Sequence, residues 1–277
     1  MKELLNLENV CFSYKGTEDG YSEENFSVKN LSFKIYEGDF ISIIGKNGSG
    51  KSTVVKLFSK ILEGYSGKIF FRGNEISSAD RKEFSRSLSY LPQSAGILNE
   101  DLTVREFLHL GRYSHKKFTD FNYSVEDNEI VSHCINETGT EKIADKNFYR
   151  LSGGEKQKVL LTLGLIQLDI QNELSGKILI IDEPLTYLDV NYQLEIFSVL
   201  GKLNKRGLTI VIVIHDLSLA LNFTDKSLLI SEGKLVKYSE SEKVITEDTI
   251  KEHFLIDSKI VSYDSNYLIN YSIQNKI

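Results

Sequence analysis

A glycine-rich run from Gly45 to Thr53, with the sequence GKNGSGKST, constrains the fold of this chain more than any other feature. It fits the pattern G-x-x-x-x-G-K-[ST], in which glycines allow backbone angles that a Cβ atom would resist. An apolar stretch, Asp39–Ile44, precedes the run, and a stretch with helical spacing of apolar residues, Lys51–Leu62, follows it. The sequence therefore predicts a buried strand, a phosphate-binding loop and a helix whose N-terminus faces the phosphate.

This loop can make several kinds of contact to a chain of phosphates. Its backbone N–H groups can wrap around the β- and γ-phosphates, Lys51 adds a positive charge, and the Ser52 hydroxyl is placed to hold Mg²⁺. An ordinary glycine-rich turn is the alternative, and the predicted flanking strand and helix argue against it. The residues expected to bind here are Gly45, Asn47, Gly48, Ser49, Gly50, Lys51, Ser52 and Thr53.

A second glycine-containing segment, Leu151–Gln157, has the sequence LSGGEKQ. Ser152 and Glu155 have the spacing of a capping box, in which the serine begins a helix and the acid is its third residue. Two glycines at a helix start also expose backbone N–H groups to an anion. The segment is compatible with a structural cap, with an anion site, or with both.

Two predicted strands end in residues that can act on phosphates. The apolar segment Ile178–Ile181 leads into Asp182 and Glu183, and phosphoryl transfer needs one carboxylate near Mg²⁺ and one near the attacking water. His215 follows the apolar run Leu208–Ile214 and can face the same phosphates. Solvated acids at a strand end and a structural histidine are the alternatives. The order of the motifs favours Asp182 as a metal ligand and Glu183 beside the water.

Composition limits the classes of partner. Of 277 residues, 41% are hydrophobic, and the formal net charge of −6 does not suggest a nucleic-acid partner. Cys11 and Cys134 are too few for a disulfide framework and fit a reducing cytosol. The N-terminus lacks the apolar stretch of a signal peptide, and apolar runs such as Leu208–Ile214 are too short to span a bilayer. We expect that work at a membrane would require a partner.

The hydrophobic pattern changes along the chain. Strand patterns dominate the first part, helical patterns the middle, and buried strands return after it. The polar segment Thr17–Asn25 is expected to form a loop or the end of an extended hairpin. Thr103 with Glu106 has the spacing of a helix cap, and Gly139 is placed to end a helix. The predicted strands in the first part are Leu4–Tyr14, Phe26–Tyr36 and Lys68–Arg72, and the predicted later helices are Ser124–Thr138 and Val190–Leu203.

Taken together, these motifs resemble the ATPase subunit of an ATP-binding cassette (ABC) transporter, over almost the whole chain and in the family's order. The resemblance implies an α/β P-loop NTPase fold with a RecA-like core, an antiparallel β subdomain and a helical subdomain. It also implies ATP and Mg²⁺ as cofactors and a homodimer that encloses two ATP. We expect a single domain over 1–277, with the core at 1–93 and 150–257, the helical subdomain at 94–149 and a small β appendage at 258–277.

The resemblance also implies roles for individual residues. Glu183 matches the general base and His215 the switch histidine. Gln93 matches the residue that senses Mg²⁺ and links to the membrane partner. Tyr14 matches the aromatic side chain that stacks on adenine, and Asp189 matches the acid that communicates across the dimer.

Further implied contacts involve the opposite subunit, the metal and the membrane. The residues that match contacts to the γ-phosphate of the opposite subunit are Ser152, Gly153 and Gly154. Those that match metal ligands are Ser52, Gln93 and Asp182. The family docks the coupling helices of its permease on the helical subdomain. The resemblance therefore implies integral-membrane permease subunits, a place at the cytoplasmic face of the membrane and, indirectly, an external substrate-binding protein.

More local features resemble importers of iron–siderophore, haem and cobalamin type. They are Leu91-Pro92-Gln93 followed by Leu102–Tyr113, His215–Ala220, and Ile245–Phe254. Lys46 stands where many relatives have proline, and Leu168–Gly176 lengthens the approach to the carboxylate strand, as in cobalamin and some haem subunits. The expected function is to power import of a chelated metal or corrinoid-like nutrient. The alternatives are a soluble ABC ATPase that scaffolds iron–sulfur assembly and an ABC ATPase of another transporter class, exporters included.

Overall fold

The computed structural model describes residues 2–14, 27–93, 101–117, 122–184, 188–264 and 266–272. The chain divides into two compact units, one formed by residues 1–78 and 211–277 and the other by residues 79–210. The loop expected at Thr17–Asn25 lies outside the described residues. The subdomain boundaries at 93/94 and 149/150 stay a prediction.

The first unit contains an antiparallel sheet that confirms the strands predicted near the N-terminus. Its strand order is β2-β1-β4-β5. Leu7 pairs with Phe33 on one side and with Ile69 on the other, so apolar side chains meet across three strands. The strands are β1 (Glu3–Ser13), β2 (Ser27–Tyr36), β4 (Ser66–Phe71) and β5 (Asn74–Glu75).

A second sheet in the first unit carries the phosphate loop. Its order is β10-β9-β3-β8, with β3 and β9 parallel and β9 and β10 forming an antiparallel hairpin. All residues of β3 and β8 are buried, as expected for strands covered on both faces. The strands are β3 (Phe40–Ile44), β8 (Thr209–Val213), β9 (Lys226–Ser231) and β10 (Lys234–Glu240), of which β8 begins in the second unit.

The helix after the phosphate loop is shorter than predicted. Helix α1 (Lys51–Phe58) ends four residues before Leu62, the predicted end. Lys60 has a left-handed φ of 58°, and its N–H donates to Leu57 O while Ile61 N–H donates back to Lys56 O. These two bonds form a Schellman turn, which ends the helix although the apolar spacing in the sequence continues to Leu62. Ile61, one of the apolar residues in the stretch predicted to be helical, is 50% exposed.

The other helices of the first unit follow β8 and β10. They are α7 (Leu217–Phe223), α8 (Ser241–Val244) and α9 (Glu247–Phe254). The described part of the expected C-terminal β appendage is a hairpin of β11 (Asp257–Tyr263) and β12 (Asn266–Ser272). Val261 pairs with Leu268 and Ile260 with Ile269 across this hairpin.

The second unit contains β6 (Leu88–Leu91) and β7 (Ile178–Asp182), which pair in parallel. Helix α5 (Gly153–Leu168) packs on these strands through Gly164, where a Cβ atom would lie 3.0 Å from both Leu91 and Ser89 side chains. The remaining helices are α2 (Arg81–Ser87), α3 (Val104–His109), α4 (Val125–Thr138) and α6 (Val190–Lys205). Short 3₁₀ turns occupy Leu110–Arg112, Glu141–Ile143 and Phe148–Arg150.

Local capping signals in this unit are confirmed. Thr103 and Glu106 form the expected capping box at α3, and Gly139 ends α4 in the left-handed conformation. Every helix in the described residues is too short or too polar to cross a membrane.

The inserted segment 168–176 is tied to the unit by a buried ion-pair network. Arg112 is 4% exposed, and its Nε donates to Asp127 Oδ1 over 2.7 Å while its Nη1 lies 3.6 Å from Asp169 Oδ2. Burial opposes ionisation of Asp127, but hydrogen bonds from Arg112 and Ser124 outweigh it and lower the pKa of this carboxyl. Asp169, which ends α5 with a φ of 53°, thereby gives the insertion a structural role.

Buried hydroxyl groups join the end of α7 to strands β3 and β9. Thr224 Oγ1 lies 3.0 Å from both Ser42 Oγ and Ser241 Oγ, and Ser42 Oγ lies 2.7 Å from Ser227 Oγ. Each of these residues is at most 7% exposed. A buried hydroxyl needs such partners because it cannot reach water.

We predict that Thr224→Val destabilises the protein by about 1–2 kcal/mol, because it withdraws a partner from two buried serines. Thr249→Val is the matched control, since Thr249 is only half-buried and its known hydroxyl partner, Thr246, is also half-buried. The measurement is the free energy of unfolding in urea. Equal stability of the two variants would show that the cluster contributes little.

Candidate active site

The phosphate loop is held tightly against the backbone of the β9–β10 hairpin. Gly45 has a φ of 150°, and a Cβ atom there would lie 2.2 Å from Ile230 O and 2.7 Å from Ser49 Oγ. Gly233 N–H donates to Ser49 O over 2.9 Å. Since 2.2 Å is far inside van der Waals contact, glycine is the residue that permits this approach.

Lys51 lies inside the loop at the start of α1. Its side chain is buried at 4% exposure, and its Nζ donates to Gly45 O over 2.9 Å and to Lys46 O over 3.0 Å. Asn47 and Gly48 are exposed at the loop tip. The ammonium group is therefore placed by the loop backbone, next to the first turn of a helix that favours anions.

The remaining loop residues form the first turn of α1 and the residue before it. Gly50, with a φ of 111°, is the N-cap, Ser52 is half-buried and Thr53 is buried. Tyr14 reaches this turn, because its hydroxyl lies 3.3 Å from Thr53 Oγ1. Tyr14 is 41% exposed and packs edge-on against Phe12 with ring centroids 4.9 Å apart. An accessible aromatic face thus lies beside the phosphate loop.

His215 is the other expected site residue of the first unit. It is exposed and follows β8, and the next residue, Asp216, caps α7 by accepting from Ser218 N and Leu219 N. The cap places His215 in a turn between a buried strand and a short helix.

In the second unit, the acid pair lies at the end of β7. Asp182 is 2% exposed, and its Oδ2 accepts from the Tyr90 hydroxyl over 3.0 Å. Tyr90 lies on β6, where it pairs with Ile180. The sequence analysis did not assign Tyr90 a role, although it lies three residues before Gln93 as a polar aromatic in an apolar strand.

Glu183 has the left-handed φ of 53°, which is uncommon for a residue with a Cβ and costs about 1 kcal/mol or more. Its Oε2 accepts from Gln93 Nε2 over 2.6 Å. The sequence singled out both residues but did not predict this bond. The amide of Gln93 therefore orients the carboxylate of Glu183.

The start of α5 has the predicted capping box. Ser152 Oγ accepts from Glu155 N over 3.3 Å, and Glu155 Oε2 accepts from Ser152 N over 2.9 Å. The backbone bond from Ser152 and the neighbouring Lys146 lower the pKa of Glu155. Because the first N–H groups of a helix have no intrahelical acceptor, those of Gly153 and Gly154 are left for another anion. The cap and an anion site are thus compatible here.

Asp189 caps α6 and is exposed, accepting from Tyr192 N over 3.0 Å. The Tyr192 ring lies against Gly154, where a Cβ atom would come within 3.2 Å of it. The acid that caps α6 is thereby linked through one aromatic ring to the start of α5. Sequence reasoning missed Tyr192, because the contact depends on how two helices pack.

We predict that Gly45→Ala weakens ATP binding by about tenfold or more, because the added methyl group forces the loop away from β9. Gly38→Ala is the matched control: Gly38 has a φ of 81° and open space around it, so that variant carries backbone strain without a clash. Titration with a fluorescent ATP analogue measures the affinity of both variants. Wild-type affinity in Gly45→Ala would show that the close approach is not needed.

Comparison with known proteins identifies the family of the chain. The family profile described as ABC transporter matches residues 28–186. The chain is 35% identical over 237 residues to the iron(3+)-hydroxamate import ATP-binding protein FhuC of Bacillus subtilis, covering 85% of this chain and 84% of FhuC. It is 32% identical to the ferric enterobactin transport ATP-binding protein FepC of Escherichia coli K12, covering 84% and 83%.

Two solved structures show the same fold. An ABC transporter assigned to the metal-chelate type, in an inward-facing conformation, matches with a TM-score of 0.79 and 22% identity over 99% of this chain and 98% of that one. The dimeric cassette MJ0796, in a post-hydrolysis state with ADP and phosphate bound, matches with a TM-score of 0.72 and 25% identity over 86% and 99%. With its motifs in order and its α/β fold, the chain belongs to the ABC transporter family and is one of the family's ATPases.

Proposed function

We propose that this ATPase powers the import of an iron–siderophore, or of a related chelate such as haem or cobalamin, through a partner permease. The proposed cargo class rests on similarity to relatives named for iron-hydroxamate import and ferric enterobactin transport. This similarity extends over more than four fifths of the chain. Resemblances in Leu102–Tyr113 and Ile245–Phe254 support the same class.

Binding of ATP begins with the phosphate loop. The loop N–H groups and the Lys51 ammonium bind the β- and γ-phosphates, and Tyr14 stacks on the adenine. Oxygen donors suit Mg²⁺, which is usually held by one or two carboxylates together with substrate phosphates. Ser52, Asp182 and Gln93 are the residues that would hold it. When bound, Mg²⁺ neutralises charge on the transferring phosphate.

Hydrolysis requires a positioned water. Glu183 accepts the proton of that water as general base, and its bond to Gln93 orients the carboxylate. The Tyr90 hydroxyl holds Asp182 in place from β6. His215 contacts the γ-phosphate and senses whether it is present.

The nucleotide-binding site is completed by a second copy of the chain. In the proposed dimer, the Ser152 hydroxyl and the N–H groups of Gly153 and Gly154 contact the γ-phosphate bound by the opposite subunit. Helix α5 begins in an exposed stretch with these donors left over by its capping box, which supports this role. Asp189, linked to Gly154 through Tyr192, communicates across the dimer.

The transport partner is an integral-membrane permease. Its coupling helices dock on the helical region 94–149, which places the ATPase at the cytoplasmic face of the membrane. An external substrate-binding protein delivers the cargo to the permease. A soluble iron–sulfur scaffold or an exporter would use the same nucleotide chemistry, so the cargo experiment separates them from the proposed function.

We predict that Glu183→Gln binds ATP with near wild-type affinity but lowers kcat by at least about a hundredfold, because the amide cannot accept the proton of the water. The measurement combines ATP titration with steady-state phosphate release. Glu173→Gln is the control, since Glu173 is an exposed acid in the segment before β7. Near-normal turnover by Glu183→Gln would remove it from the role of base.

We predict that deleting the gene abolishes uptake of ⁵⁵Fe supplied as a hydroxamate or catecholate chelate, and that the wild-type gene but not Glu183→Gln restores it. Amino-acid uptake is the control and is expected to stay unchanged. Pull-down of tagged Glu183→Gln from solubilised native membranes with ATP and Mg²⁺ is expected to recover a permease. Intact uptake of every iron chelate, haem and cobalamin, with only soluble proteins recovered, would favour the scaffold role.

A further inference from the structure

We infer that the C-terminal hairpin of β11 and β12 is coupled to the His215 turn, and that Asn222 on α7 is the positioning residue that joins them. The inference rests on the proposed role of His215 and adds an element that neither the motifs nor the compared relatives assign. All the residues involved lie in the first unit.

Asn222 binds the backbone of β12 as a neighbouring strand would. Its Nδ2 donates to Tyr267 O over 2.8 Å, and its Oδ1 accepts from Tyr267 N over 2.7 Å. Both polar groups of one hairpin residue are thus satisfied by a single side chain. Such a two-point contact fixes orientation as well as distance.

The same side chain is tied to the start of α7. Asn222 Nδ2 also lies 2.7 Å from Ser218 O, one helical turn earlier. Ser218 N–H in turn donates to Asp216 Oδ1, the cap of the helix. Hydrogen bonds on both sides of the Ser218 backbone therefore link Tyr267, through Asn222, to the residue next to His215.

A second residue of the hairpin lies within electrostatic range of the same turn. Burial raises the pKa of the Tyr271 hydroxyl, and the negative charge of nearby Asp216 raises it further. Tyr271 lies on β12 four residues beyond Tyr267.

The other strand of the hairpin is anchored elsewhere. Glu247, at the start of α9, accepts from Ile260 N over 2.9 Å and lies 3.2 Å from Lys259 Nζ. A two-stranded hairpin has little stability alone, so its position is set by the elements that hold it. With β11 held by α9 and β12 by α7, a displacement of the His215 turn must move or strain the hairpin.

This coupling has a consequence for hydrolysis. His215 is exposed and lies between the end of the buried strand β8, which holds its main chain on one side, and Asp216, which caps α7. On the other side, α7 and the hairpin hold the turn in place. Loss of Asn222 would leave nucleotide binding intact and reduce the fraction of time in which His215 is in position.

The first test is kinetic. Leucine is similar in size to asparagine but cannot make the two hydrogen bonds to Tyr267. We expect Asn222→Leu to lower kcat about fivefold or more while the KM for ATP stays within about twofold. Asn222→Asp can still accept a hydrogen bond from Tyr267 N, and its kcat is expected to fall less than that of Asn222→Leu. The control is Asn270→Leu on the exposed side of β12. Wild-type kcat in folded Asn222→Leu would overturn the inference.

The second test does not depend on turnover. The chain contains no tryptophan, so Tyr271→Trp introduces a single fluorescent reporter beside Asp216. We expect a non-hydrolysable ATP analogue to change the emission of this introduced indole, and Asn222→Leu to abolish that change while the analogue still binds. An unchanged emission on binding would overturn the coupling. Normal hydrolysis by His215→Ala would instead count against the proposed role of His215.

Discussion

The close approach of the phosphate loop to the carbonyl of Ile230 is the constraint on which the candidate site depends. Because Gly45 has no side chain, the loop packs directly on the end of β9, and the N–H of Gly233 holds it from the next turn. The loop carbonyls then place the Lys51 ammonium, and α1 begins where the loop ends. A strand outside the sequence motifs thus sets the shape of the loop that is proposed to bind phosphate.

The groups proposed to act on water are positioned by hydrogen bonds between side chains, whereas the phosphate loop is positioned by backbone packing. Tyr90 donates a hydrogen bond to Asp182, and Gln93 donates one to the side chain of Glu183, whose backbone is left-handed. The phosphate loop belongs to the first unit, and these two acids belong to the second. The capping box of α5 does not use the N–H groups of Gly153 and Gly154, and their proposed partner is the γ-phosphate bound by a second copy of the chain.

The features that could be predicted from the sequence are local ones. The phosphate loop and the capping boxes at Thr103 and Ser152 depend on residues a few positions apart, and the structure contains them. The end of α1 could not be predicted, because Lys60, with a Cβ, adopts the left-handed angle that glycine usually supplies. The bond from Tyr90 to Asp182 was also missed, since it depends on the register between two strands distant in sequence.

The central claim, that each ATP is enclosed by the loop of one copy and the α5 start of another, can be tested by mixing two inactive variants. Lys51→Ala removes the positive charge that is proposed to bind the phosphates, and Ser152→Arg blocks the N–H donors at the start of α5. In a mixed dimer one site carries both defects and the other carries neither. We expect doubly tagged mixed dimers to hydrolyse ATP although each variant alone does not. Inactive mixed dimers, in a preparation where wild-type dimers are active, would contradict it.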